Sequence, residues 1–218
     1  MTDRPRLIET LRVEPGGDLP LLEGHLARLQ ASALALGYGV DIAAVRTLLL
    51  QRAAGLDAHQ SWRLRLLLAC DGHCTLEHGP LHTPPDPLRV VVTGPRQGKA
   101  RNWLQHKTTF RPWYKSATDW LARHPDIFDV LYWDEDGMMC EGSRSTIYVQ
   151  ADDGSWLTPP LSAGVLPGVQ RAALLQSGRV REAPFSRDTF RRATRRRISN
   201  ALRGWRDIQI VDTPTLPD

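Results

Sequence analysis

Chemistry that needs an amine has three candidates in this chain, Lys99, Lys107 and Lys115; all the rest of its 28 basic residues are arginines. Lys99 sits in a glycine loop, and Lys115 falls on a predicted helix, where the plain expectation is a solvated side chain. Lys107 stands in His106-Lys107-Thr108-Thr109, just ahead of that helix. Cys70 and Cys74, with His73 and His78 nearby, have spacing that invites zinc. A structural zinc site takes four ligands, usually as two separated pairs. Asp71-Gly72 between two apolar runs reads instead as a hairpin turn. The cysteines are therefore read as small buried hydrophobes, and no metal is expected. Gly94 to Ala100 has three residues between its glycines where a phosphate-binding Walker loop has four, and Ala follows the lysine. The basic run Arg191 to Arg197 could meet nucleic acid. No aromatic residue interleaves it, and cations at the C-terminal end of a helix are favourable without any partner.

Seven segments matter through their order. They are Ile8-Glu9-Thr10-Leu11-Arg12, His25-Leu26-Ala27-Arg28-Leu29, His106 to Thr109, Cys140-Glu141-Gly142-Ser143-Arg144-Ser145-Thr146, Leu157-Thr158-Pro159-Pro160, Gly164 to Arg171, and Ile198-Ser199-Asn200-Ala201-Leu202-Arg203-Gly204. The ordered set resembles the fold-type IV pyridoxal-phosphate enzymes, the class IV aminotransferase family, from about residue 6 to 211. Within that family it is most similar to the aminodeoxychorismate lyase branch, including lyase domains fused to aminodeoxychorismate synthase component I. The family's usual Asn five residues after the Glu is Thr146 here.

The resemblance implies pyridoxal 5′-phosphate held as a Schiff base by Lys107, whose amine must lose its proton to act; a buried, aromatic-lined site would lower its pKa. It implies Glu141 beside the pyridine nitrogen, although a Glu before Gly-Ser reads alone as a turn residue. Arg28, Gly168, Val169, Gln170, Ser199 and Asn200 would surround the phosphate. A helix opening after Pro167-Gly168 offers free N–H groups and a positive dipole end. Arg28 neighbours the core position Leu29 and is expected on the polar side of its helix. Arg65, Thr10 and Tyr114 are implied on the substrate side. The implied reaction converts 4-amino-4-deoxychorismate to p-aminobenzoate and pyruvate, a step toward folate. The alternatives are a class IV aminotransferase acting on branched-chain or D-amino acids, a cofactor-binding protein without lyase activity, and a non-enzymatic nucleic-acid-binding protein. The resemblance also implies a homodimer and a functional link to aminodeoxychorismate synthase.

These residues need a scaffold, and the composition allows one. The chain has 218 residues, is 41% hydrophobic and 24% charged, and carries a net charge of +4. That suits a globular protein with its own core and excludes whole-chain disorder. No apolar run approaches the 18 or so residues of a membrane helix, and the N-terminus lacks a signal-peptide pattern, so a cytoplasmic protein is expected. Alternation predicts strands at 6–14, 19–22, 62–70, 74–77 and 88–92. Three- and four-residue spacing predicts helices at 22–36 and 41–54. A helix at 111–123 and strands at 129–133, 146–150 and 156–158 follow. Helices from 169 to 175 and from 187 to 195 come next, then a strand pair at 197–202 and 207–211. The expected class is α+β, in the two-domain fold-type IV architecture. The domains run from 1 to 92 and from 107 to 218, with a linker at 93–106. The resemblance places the cofactor at the domain interface.

Overall fold

A computed structural model describes residues 4–96 and 101–212; Lys99 and the rest of 97–100 lie outside the described residues. The chain forms two compact units, residues 1–83 with 106–110 and residues 84–105 with 111–218. The architecture is α+β.

In the first unit, β1 (Leu7–Val13) is followed by α1 (Leu22–Leu36), α2 (Ile42–Ala54), β2 (Trp62–Leu68) and β3 (Cys74–Pro80). The strands form an antiparallel sheet in the order β1-β2-β3. Period-two alternation sends Leu7, Leu11 and Val13 to the same face as Leu64, Leu66 and Leu68. The helical spacing of Leu22, Leu26, Leu29 and Ala33 turns α1 onto that face, and Val45, Leu49 and Ala53 do the same for α2. Each fully buried leucine contributes roughly 2 kcal/mol. Gly37, in the left-handed conformation, ends α1, and the Asp41 carboxylate caps α2 by accepting from Ala44 N at 3.0 Å. Residues 19–22 are not the expected strand. The chain turns directly into α1 there, and β1 takes β2 as its sheet neighbour. The predicted hairpin joins β2 to β3. Among the described residues, no group of three His, Cys, Asp or Glu could hold a metal ion.

The second unit is built on eight strands: β4 (Leu88–Thr93), β5 (Asp129–Trp133), β6 (Met139–Gly142), β7 (Thr146–Gln150), β8 (Trp156–Thr158), β9 (Arg181–Glu182), β10 (Arg196–Asn200) and β11 (Gly204–Ile210). Their order is β6-β5-β4-β11-β10-β7-β8-β9. Between and after them come α3 (Arg101–Leu104), α4 (Lys115–Arg123), α5 (Val169–Gln176) and α6 (Arg187–Arg192). β4 pairs in parallel with both β5 and β11. A parallel strand buried on both faces reads as a continuous apolar run, which accounts for Val90-Val91-Val92. That pairing puts β4 in the second unit, where the sequence reading had it closing the first domain. The short helix α3 forms within the expected linker. Strand β6 was not predicted either; its register with β5 is irregular, and all four of its residues are buried, so no alternation marks it.

The basic run is partly tied down. Arg196 donates to the carbonyls of Phe190 and Arg191. Arg197 pairs with Asp207 and lies over Trp205, and Arg195 lies over Trp156. No helix among the described residues is long and apolar enough to cross a membrane.

Candidate active site

Segment 106–110 belongs to the first unit because it lies along the free edge of β1. Ile8 N donates to Lys107 O at 2.7 Å, and Thr109 N donates to Arg6 O at 2.9 Å. The antiparallel bridge between them pairs Leu7 with Thr108. Leu7 faces the helices, and Thr108 shares its side. His106, on that side too, reaches Ser32 of α1, with Nδ1 at 3.0 Å from Oγ. Strand alternation therefore puts Lys107 on the other face, opposite Ile8. Thr10 and Arg65 are on that same face, directly across from one another in the register of β1 and β2. Three of the predicted site residues are thus gathered on one surface of one sheet. Lys107, Thr10 and Arg65 are each half-buried. Arg65 also pairs with Glu77 at 3.2 Å.

Arg28 is not on the solvated side of α1. Its side chain is 9% exposed and grips Glu9 of β1, with Nε to Oε1 at 2.9 Å and Nη2 to Oε2 at 2.6 Å. His25 Nδ1 adds a bond to Glu9 Oε2 at 2.5 Å. Burial alone would push the Glu9 carboxyl up, but the charge and hydrogen bonds of Arg28, with the bond from His25, hold it down at about 2. Neither Glu9 nor His25 was singled out from the sequence. The available signal was an acid at an inward position of β1, between Leu7 and Leu11.

In the second unit, Glu141 lies on β6 and is 5% exposed. The Tyr114 hydroxyl donates to its Oε1 at 2.7 Å, and Leu166 N donates to Oε2 at 2.9 Å. The Arg96 guanidinium stands 3.7 Å away. Burial raises the Glu141 carboxyl above its ordinary range, against the lowering effect of these donors. Tyr114 is accordingly bound to Glu141, and burial beside that carboxylate raises its own phenol. The bond from Leu166 also ties Glu141 to the segment that opens α5.

No side chain caps the N-terminus of α5, so its first N–H groups, at Val169 and Gln170, lack intrahelical partners. Gly168 closes over β7: a Cβ there would stand 2.9 Å from Thr146 Oγ1. Thr146 lies opposite Ser199 in the sheet, and Ser199 Oγ is 2.7 Å from the Tyr148 hydroxyl. Three hydroxyls thus cluster below an uncapped helix end. Asn200 has a turn role: its Oδ1 accepts from Leu202 N at 3.1 Å and Arg203 N at 2.9 Å, and its Nδ2 donates to Arg144 O at 3.3 Å.

Comparisons with known proteins bear on what these residues do. The family model for amino-transferase class IV matches residues 6–211. A curated Schizosaccharomyces pombe protein, provisionally named aminodeoxychorismate lyase, is 29% identical over 172 residues, covering 76% of this chain and 72% of that one. A solved Mesorhizobium loti protein, provisionally named an amino-acid aminotransferase, is 33% identical with a TM-score of 0.85, covering 95% of this chain and all of that one. A solved structure provisionally named 4-amino-4-deoxychorismate lyase is 25% identical with a TM-score of 0.77, covering 96% of this chain and 85% of that one.

Proposed function

Because the chain belongs to the class IV aminotransferase family, we propose that this enzyme is an aminodeoxychorismate lyase, releasing p-aminobenzoate and pyruvate from 4-amino-4-deoxychorismate with pyridoxal 5′-phosphate as cofactor. What supports the reading is the register that sets Lys107, Thr10 and Arg65 on one face of the sheet. The donor set fits the cofactor. An amine suits its aldehyde, a buried carboxylate suits its ring nitrogen, and an uncapped helix end over hydroxyls suits its phosphate.

Bound there, the cofactor supplies an aldehyde that links to amines and a protonated ring that accepts an electron pair. Lys107 would hold the cofactor by its aldehyde. Its Nζ would take the proton from the substrate ring carbon that bears the amine, which general base catalysis accelerates by roughly 10²–10⁴-fold. Glu141 would keep a proton on the cofactor's ring nitrogen. Arg65 and Thr10 orient the substrate carboxylate, with Tyr114 steadying Glu141. The N–H groups of Val169 and Gln170, the close approach at Gly168, the side chains of Ser199 and Asn200, and Arg28 hold the phosphate. Cleavage of the bond to the enolpyruvyl oxygen aromatises the ring, and protonation of the enol gives pyruvate. Atoms balance with no oxidant, water or amino acceptor consumed. We place this activity in a cytoplasmic homodimer that works with an aminodeoxychorismate synthase.

The Mesorhizobium loti relative favours a second reading, an aminotransferase. Mixing the holoenzyme with D-alanine or L-leucine tests the two. The lyase reading expects the bound-cofactor spectrum to persist. Rapid conversion to the pyridoxamine band would favour the aminotransferase.

A further inference from the structure

One buried acid has no part in the reading above. Asp129 opens β5 and is fully buried. Four donors converge on its carboxylate. Oδ1 accepts from Val130 N at 2.8 Å and from Ser143 Oγ at 2.6 Å. Oδ2 accepts from Ser145 Oγ and from Arg144 N at 3.3 Å. Three of these four come from the turn that directly follows Glu141.

The same turn is closed by other bonds. Gly142 N donates to Ser145 O at 2.8 Å, and Ser143 N donates to Val130 O at 2.9 Å. The Ser143 carbonyl accepts from Arg111, whose guanidinium also lies over the Tyr114 ring. At Gly142 the backbone passes so close to the acid that a Cβ would stand 2.2 Å from Asp129 Oδ2 and 2.7 Å from Ser145 Oγ. The segment Glu-Gly-Ser-Arg-Ser thus has a physical division of labour. The glutamate projects, the glycine makes room for the buried acid, and the two serines bind it.

We propose that Asp129 is a positioning residue: through Ser143 and Ser145 it fixes the turn after β6 and with it the aim of the Glu141 carboxylate at the cofactor's ring nitrogen. This rests on the function proposed above. A buried carboxylate satisfied by hydrogen bonds to one short turn is a rigid anchor, because each lost bond leaves a buried group unpaired.

The test uses the holoenzyme loaded with pyridoxal 5′-phosphate. Four variants are compared: Asp129→Asn, Ser145→Ala, Glu141→Gln and the Asp129→Asn/Glu141→Gln double variant. The readouts are the absorbance spectrum of the bound cofactor across pH, kcat and KM separately, and the melting of the apo protein. Asp129→Asn and Ser145→Ala are expected to shift the spectrum in the direction Glu141→Gln does. They should lower kcat by roughly ten- to a hundred-fold, the range seen when outer partners of metal ligands are lost, with KM little changed. Adding Asp129→Asn to Glu141→Gln should change the spectrum no further, because residues acting through one group are not additive. Should Asp129→Asn fail to fold, Ser145→Ala carries the comparison. A lowered melting temperature with the wild-type spectrum and kcat in both single variants would overturn the proposal. A wild-type spectrum in Glu141→Gln would overturn the underlying reading, and the proposal with it.

Discussion

Arg28 on α1 and Glu9 on β1 form a two-pronged ion pair inside the first unit, with 9% and 3% of their side chains exposed. Each neutralises the other's burial. Arg28→Ala is therefore expected to act on the fold as well as on the cofactor. Removing one partner of a buried pair costs roughly 3–5 kcal/mol, since the other charge is left uncompensated. Thermal unfolding of the apo protein should show that loss. Cofactor affinity should fall too, and a double Arg28→Ala/Glu9→Ala variant should recover part of the stability.

The same pair sets an acid limit. The Glu9 carboxyl is held at about 2, below its ordinary 4.5. A depressed carboxyl contributes stability that is complete above the unfolded value and is lost as pH falls through the folded one. The contribution, on the order of 3 kcal/mol, should therefore disappear between about pH 4.5 and 2. Denaturant melts across that window should show the slope in the wild type and a much flatter one in Glu9→Gln.

Glu141 has the opposite sign. Burial raises its carboxyl, so the folded state binds its proton more tightly than the unfolded one. Its effect on stability is most favourable below the ordinary carboxyl range and worsens as pH rises through the folded value. Glu141→Gln should remove that penalty, but it also leaves the Arg96 guanidinium, 3.7 Å away and buried, without the opposite charge, so melts of the apo protein should lose the pH slope with no gain in stability at neutral pH. Turnover should nevertheless fall roughly 10²–10³-fold, the scale of losing one electrostatic stabiliser, with the cofactor still bound. Wild-type turnover in this variant would make Glu141 a plain turn residue.

Gly142→Ala should be costly for a steric reason. The added Cβ meets the Asp129 carboxylate and Ser145 Oγ, and forcing bulk into a packed site costs roughly 1–3 kcal/mol. A melt of the apo protein measures it, with Gly137→Ala as the comparison: Gly137 has open space but a positive φ of 74°.

Much of this scaffold was legible in the residues. The helical spacing from Leu22 to Leu36 and the alternation at 129–133 and 146–150 carry strong local periods. The strand expected at 19–22 fails because four residues ending in two leucines also begin a helix, and only the neighbouring strands decide between them. Strand β6 and the parallel pairing of β4 depend on contacts far apart in sequence. The site divides in the same way. Lys107, Thr10 and Arg65 were named through the resemblance, and their shared face follows from register. The acids Glu9 and Asp129 were missed as partners because most of the donors that satisfy them come from segments 14 or more residues away.

The most direct measurement is the product balance from 4-amino-4-deoxychorismate with no 2-oxo acid added. The lyase needs no amino acceptor, so p-aminobenzoate and pyruvate should appear in equal amounts over many turnovers. Lys107→Ala should abolish both products while the apo protein still folds. Borohydride reduction followed by mass spectrometry should place the pyridoxyl group on Lys107 rather than Lys99 or Lys115. Absence of p-aminobenzoate, with rapid formation of the pyridoxamine form from an amino acid, would contradict the account.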